Sequence, residues 1–299
     1  MQLREPFFGL TRSTAKPTFV VVGIPWDATS SYRRGACAAP SAIRRATDGT
    51  LYNRYSERGT DLADVWRVCD HGNVRIVKRA SDLKRSIEAT TFLHNHREQH
   101  MLFLGGDHYV TFPSFEVTAK SQAGPLSLLY FDAHPDLYEN YEGSLHSHAT
   151  VVTRILENRK ASTGKVCYVG IRASTKEQDD RIQQLELNQI TSEDVHRKGC
   201  ETISSNVKNQ LNDERVYLSI DLDCLDPAYA PGVGNPQPGG LSTRQLFDIL
   251  HGLDGLSIAA ADIVEYSPKC ESKERTTAFT AAVLVKELMW LMSSGQRQC

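Results

Sequence analysis

Carboxylates and imidazoles recur at every second position in two stretches of this chain. In YFDAHPDLYEN, residues 130–140, Asp132, His134 and Asp136 follow an apolar run directly, and SIDLDCLDP repeats the spacing with Asp221 and Asp223. Side chains two apart on an extended backbone point the same way, so each stretch is expected to present its polar groups on one side. Burying such groups unpaired is costly, and four neighbouring carboxylates repel one another unless cations lie between them. Metal binding resolves that cost. With His108 at the end of GGDH, the ligands suffice for two ions bridged by shared carboxylates. Two imidazoles and four carboxylates without a thiolate favour a six-coordinate ion such as Mn2+ over a thiolate-rich zinc site, with Fe, Co and Ni also compatible. Cys224 adjoins Asp223 and is expected to face the opposite side.

A lone Asp-x-Asp is more often a turn or a cap, and GGDH by itself could be a turn with an exposed histidine. Weight comes from the three elements together, each at the end of an apolar run. Those runs are TFVVVGIP, HMLFLGG, LSLLYFDAH, KVCYVGIR, RVYLSIDLD and LSIAAADIVEY. Near-continuous apolar character predicts strands buried on both faces, hence a parallel sheet between helical layers. Helical spacing is read over Ser81 to Gln99, through Leu83, Ile87, Thr90 and His94, and over His148 to Glu157 and Ala278 to Met292. The expectation is one continuous α/β domain over residues 1–299. Open α/β sheets gather ligands at the carboxyl ends of their strands, which is where His108, Asp132, His134, Asp136, Asp221, Asp223 and Glu265 fall.

Composition narrows the class. The chain is 299 residues long, 40% hydrophobic and 23% charged, with a formal net charge of −2. That balance gives no electrostatic footprint for nucleic acid or for an anionic membrane. No segment approaches the roughly 20 apolar residues needed to span a bilayer, and the first residues lack a signal-peptide core. Seven cysteines without a CxxC pair suggest reduced thiols in a cytoplasmic setting.

FLGGDHYVTFP, YFDAHPDLY followed by SHATVV, YLSIDLDCLDPAYAPGVGNPQPGGL and DIVEYSP resemble, in order and over nearly the whole chain, the signature blocks of the ureohydrolase family, the arginases and agmatinases. GIPWDATSSYRRGACAAPSAIR resembles the agmatinase branch. The resemblance implies a three-layer α/β/α sandwich around a mostly parallel sheet of about eight strands, a homo-oligomer (trimer or hexamer), and two Mn2+ per subunit that serve hydrolysis of a guanidino group to urea and an amine. It places His108 and Asp136 on one metal and His134 and Asp223 on the other, with Asp132 and Asp221 bridging. It also makes Asp136 a proton relay to the leaving amine, Glu265 the guanidinium partner, and His148 rather than His146 the proton shuttle. Two ions roughly 3.5–4 Å apart can ionise water near neutrality, which a guanidinium with a pKa above about 12 requires of its nucleophile.

For the substrate, the resemblance points away from arginine. Tyr138 stands where arginases carry an Asn, and GIRASTKE lacks their Asp. Agmatine is the expected small-molecule substrate, with Glu139 and Glu142 as candidate partners of its far ammonium. Guanidinobutyrate is the alternative, its carboxylate meeting Arg33 or Arg34. Ala39 and Ala149 replace residues that are commonly Gly in the family and are expected to reshape the pocket. The Gly/Pro-rich loop APGVGNPQPGGLS is expected to be a constrained turn supporting the site. Two other classes share the architecture: metal-dependent deacetylases, whose single-zinc site lacks the GGDH ligand, and a non-catalytic metal-binding scaffold.

Overall fold

The computed structural model describes residues 7–10, 16–91, 99–122, 124–157 and 163–294. Eight strands form one parallel sheet: β1 (Phe19–Gly23), β2 (Val68–Asn73), β3 (His100–Leu104), β4 (Leu126–Phe131), β5 (Thr163–Ile171), β6 (Asn188–Thr191), β7 (Arg215–Asp221) and β8 (Ser257–Val264). Their order is β2-β1-β3-β8-β7-β4-β5-β6. The helices are α1 (Ala39–Ala46), α2 (Leu62–Val65), α3 (Leu83–Thr91), α4 (Thr111–Ser121), α5 (Val151–Glu157), α6 (Lys176–Gln184), α7 (Ser192–Lys198), α8 (Cys200–Leu211), α9 (Thr243–Gly252) and α10 (Thr276–Met292).

Alternation along the strands divides the core into two layers. Leu129 and Phe131 of β4, with Leu218 and Ile220 of β7, pack beside side chains of α1, α8, α9 and α10. Leu128 and Tyr130, with Tyr217, pack beside side chains of α3, α4 and α5. Each central strand is thus covered on both faces, which is why its sequence is apolar throughout. All six strands read from the sequence are present. The two that were not legible, β2 and β6, are the sheet's edges, and their VCDHGN and NQIT sequences are half-exposed and polar.

The helix read over Ser81 to Gln99 departs from the expectation at both of its described ends. A 3-10 turn at Ala80–Asp82 leads into α3, whose buried face is Leu83, Ser86, Ile87 and Thr91 rather than Thr90. His94 lies outside the described residues. Gln99 is no longer helical; its amide donates to Pro17 O (2.9 Å) as the chain enters β3. The second helical reading begins as a 3-10 turn, His148–Thr150, before α5. Among the described residues, no helix is long and apolar enough to cross a membrane.

Candidate metal centre and active site

The carboxyl ends of β3, β4, β7 and β8 bring the expected residues to one point. Their arrangement is not that of an extended strand. β4 ends at Phe131, and Asp132 to Asp136 form a turn in which Asp136 takes a left-handed φ of 47°. Asp221 ends β7, and Asp223 lies in the 3-10 turn that follows. Alternation therefore does not align these side chains; backbone hydrogen bonds do.

One oxygen of each of three aspartates accepts a backbone N–H. His134 N donates to Asp132 Oδ1 (2.6 Å), Asp223 N to Asp221 Oδ1 (2.7 Å), and Ala133 N to Asp223 Oδ1 (3.1 Å). The second oxygens are left facing the imidazoles. His108 Nδ1 lies 2.9 Å from Asp132 Oδ2, 3.1 Å from Asp221 Oδ2 and 3.3 Å from Asp136 Oδ2. His134 Nδ1 lies 3.1 Å from Asp223 Oδ2. Two close backbone approaches permit the geometry. A Cβ on Gly106 would fall 1.6 Å from Trp26 O, and Gly170, at φ 102°, leaves room for Asp132 O.

The electrostatics are those of a largely buried acidic cluster at the base of a cavity. Burial, then Asp223 and Asp136, raise Asp132 to about 6, and burial with Asp223 and Asp132 pushes Asp221 well up. Burial alone would lower His134, but Asp223 and Asp132 outweigh it and raise the ring to about 12. Burial likewise opposes ionisation of Asp223, and His134 more than offsets it, holding that carboxyl low.

The donor set fits divalent cations. His108, Asp132 and Asp136 form one group of possible ligands and Asp132, His134 and Asp223 a second, so Asp132 is common to both. Asp132 Oδ2 is fully buried and accepts no hydrogen bond, despite His108 Nδ1 at 2.9 Å. The two atoms are close without hydrogen-bond geometry, and His108 Nδ1 is also 3.0 Å from Tyr130 OH. His108 is fixed from behind: its Nε2 is 2.9 Å from Ser219 Oγ, which donates to Asp262 Oδ1 (2.7 Å). Asp262, fully buried, also accepts from Tyr217 and Thr111. Such outer partners orient a ligating imidazole and raise its basicity.

Glu265 and His148 complete the pocket. Glu265, with φ 62°, accepts His108 N on Oε1 (2.8 Å), and its own N–H donates to Gly106 O. His148 is placed by a Ser147–Thr150 capping box; its Nε2 is 2.9 Å from Ser31 Oγ and its Nδ1 3.6 Å from Glu265 Oε1. Burial opposes its charge, but Glu265 prevails and raises the ring to about 9. His146 is exposed and bonded to Tyr109 OH (2.8 Å), away from the cavity.

A cavity of about 570 Å3 is lined by His134, Asp136, Asp221, Asp223, His148 and Glu265, together with Tyr32, Tyr138, Tyr141 and the Asn235–Gln237 turn. Among the described residues, no lysine or arginine lines it. Arg33, a candidate carboxylate partner, instead donates to Val233 O and Gly234 O (3.0 Å each), and Arg34 to Ala28 O. The acidic candidates are elsewhere too: Glu139 pairs with Arg181, Glu142 is exposed, and neither lines the cavity. Of the two alanines, Ala149 lines the cavity, whereas Ala39, the first residue of α1, packs in the core.

The Gly/Pro-rich loop is held tightly. Arg172 donates to the carbonyls of Asp223 (2.7 Å) and Gln237 (2.6 Å), and Asp226 accepts Gly239 N. Ser219, Asp262, Ser31 and Tyr130 were not legible as parts of the site, since each reads as an ordinary strand or loop residue. Tyr130 donates to Asp136 Oδ2 (2.8 Å) and stacks on His108.

Known proteins share this chain's sequence and shape. The family model described as the Arginase family matches residues 17–290. "Arginase 1, mitochondrial" of Oryza sativa subsp. indica is 34% identical over 285 residues, covering 91% of this chain and 81% of that protein. An agmatinase of Chromobacterium violaceum is also 34% identical, over 275 residues, covering 91% of this chain and 83% of its own length. The structure of agmatine ureohydrolase of Thermoplasma volcanium superposes with a TM-score of 0.85 at 28% identity, covering 98% and 96% of the two chains. The profile match and these relatives agree, and the chain belongs to the arginase family of hydrolases.

Proposed function

We propose that this protein hydrolyses the guanidino group of agmatine, giving putrescine and urea, and that two Mn2+ occupy the acidic centre. The observation that carries the substrate reading is the lining of the cavity: carboxylates and histidines surround its reactive end, and among the described residues no lysine or arginine lines it to meet a substrate carboxylate. Arginine and guanidinobutyrate both carry that carboxylate; agmatine carries an ammonium in its place. Arginases and agmatinases match at similar identity, so family membership alone does not choose among these substrates.

In this reading His108, Asp132, His134, Asp136, Asp221 and Asp223 would together hold the two ions. When bound, such a pair supplies a water acidic enough to be a nucleophile near neutral pH and neutralises the carboxylates. Glu265 binds the guanidinium: Oε1 is occupied by His108 N, and Oε2 is left to accept the planar N–H groups in a charge-assisted bond. The cation is thereby oriented with its carbon over the centre. Asp136, on a turn that aims it into the cavity, relays a proton to the departing nitrogen. An oxygen from water bonds to the guanidino carbon, the bond from that carbon to the alkyl-bearing nitrogen breaks, and water's protons pass to that nitrogen, so urea and the protonated amine leave. His148, at the cavity wall beside Ser31 and Glu265, exchanges protons with solvent.

A substrate panel tests the reading. Manganese-reconstituted protein is expected to release urea from agmatine with a kcat/KM at least tenfold above that for arginine or 4-guanidinobutyrate; preference for either carboxylate-bearing compound would overturn it.

A further inference from the structure

The proposed substrate has a second cation at its far end, and among the described residues the cavity offers it no carboxylate outside the reactive centre. The carboxylates among the lining residues are Asp136, Asp221, Asp223 and Glu265, all at that centre. What the remaining wall does offer is aromatic surface. Tyr138 and Tyr141 are half-buried, both line the cavity, and their rings lie 5.4 Å apart at 49°. The edge-on contact of Tyr141 with His148, 6.3 Å between centroids at 85°, ties this pair to the catalytic end. Tyr138 is further fixed by a hydroxyl bond to Thr175 Oγ1 and a backbone bond to Ala149 O.

Resting on the agmatine reading, we infer that Tyr138 and Tyr141 are the specificity-determining residues for the far ammonium, which they bind through the faces of their rings. The negative face of a tyrosine attracts an alkylammonium within about 6 Å, and two tilted rings offer it more than one surface. Such a site needs no hydrogen bond to the nitrogen. It discriminates by charge, rejecting a carboxylate that would meet the same negative faces. The two glutamates of the intervening loop are not required, since Glu139 is engaged by Arg181 and Glu142 is exposed outside the cavity.

The test compares agmatine with n-butylguanidine, its uncharged-tail counterpart, in the manganese-loaded wild type and in Tyr138→Leu, Tyr141→Leu and the matching Tyr→Phe variants. The leucine variants are expected to raise KM for agmatine roughly five- to thirtyfold, the range of a cation–ring contact, and to leave KM for n-butylguanidine within twofold. The phenylalanine variants keep the rings and are expected to stay near wild type. Equal losses with both substrates would show a merely apolar wall and overturn the inference, as would leucine variants indistinguishable from wild type. Absence of urea from agmatine in the wild type would overturn the substrate reading and this inference with it, whereas wild-type turnover with insensitive tyrosines overturns the inference alone.

Discussion

At the scale of residues, the site depends on oxygens and nitrogens held from behind so that their other faces are free. Ser219 and Asp262 do this for His108. Ser219→Ala or Asp262→Asn is expected to weaken metal binding roughly ten- to a hundredfold, read by competition with a chelator; unchanged affinity would show that the relay serves packing alone. His148 should behave differently, because it lies beside the centre rather than in it. His148→Asn is expected to lower kcat by roughly a hundredfold while metal content stays at the wild-type level, and wild-type turnover would remove it from the mechanism. The convergence of these carboxylates and imidazoles was legible in the sequence, because so many carboxylates are costly to bury together without cations. The cause of convergence was not: pleat alternation is replaced by turns, with a left-handed Asp136 whose φ no residue type announces. Glu139 illustrates a different limit, since its pairing with Arg181 joins residues 42 apart in the chain.

At the scale of elements, the central strands were legible because burial on both faces leaves them almost wholly apolar, and the edges β2 and β6 were hidden because they face water on one side. His100 marks the start of β3, where burial and then Arg215 lower its pKa to about 4; its ring meets Trp66 edge-on and its Nδ1 lies 3.1 Å from Ile258 O. Folding thus favours the neutral ring. The unfolded chain binds the proton below about 6.5 and the folded chain only below about 4, so stability from this group is present above pH 6.5 and lost as pH falls toward 4. His100→Phe is expected to flatten the dependence of unfolding free energy on pH across that window, measured by urea titration at several pH values. Parallel curves for variant and wild type would contradict this role.

At the scale of the whole molecule, the sheet gathers distant parts of the chain into one acidic cavity, so any ions that neutralise it are expected to be linked to the stability of the fold. Binding only to the folded state raises stability by mass action, about 2.7 kcal/mol at a hundredfold excess over Kd. Chelation is accordingly expected to lower Tm. The loss should grow as pH rises through about 6, because burial and neighbouring carboxylates raise Asp132 to that value and the cation-free fold favours its protonated form. A chelated protein whose Tm is flat from pH 5 to about 8 would argue against the linkage. The central claim, that a pair of divalent cations shares Asp132, is tested most directly by elemental analysis of manganese-reconstituted protein beside Asp132→Ala. Two ions per chain in the wild type, with both lost or greatly weakened in the variant, is the predicted result. A single tightly held ion, or a pair indifferent to the loss of Asp132, would contradict it.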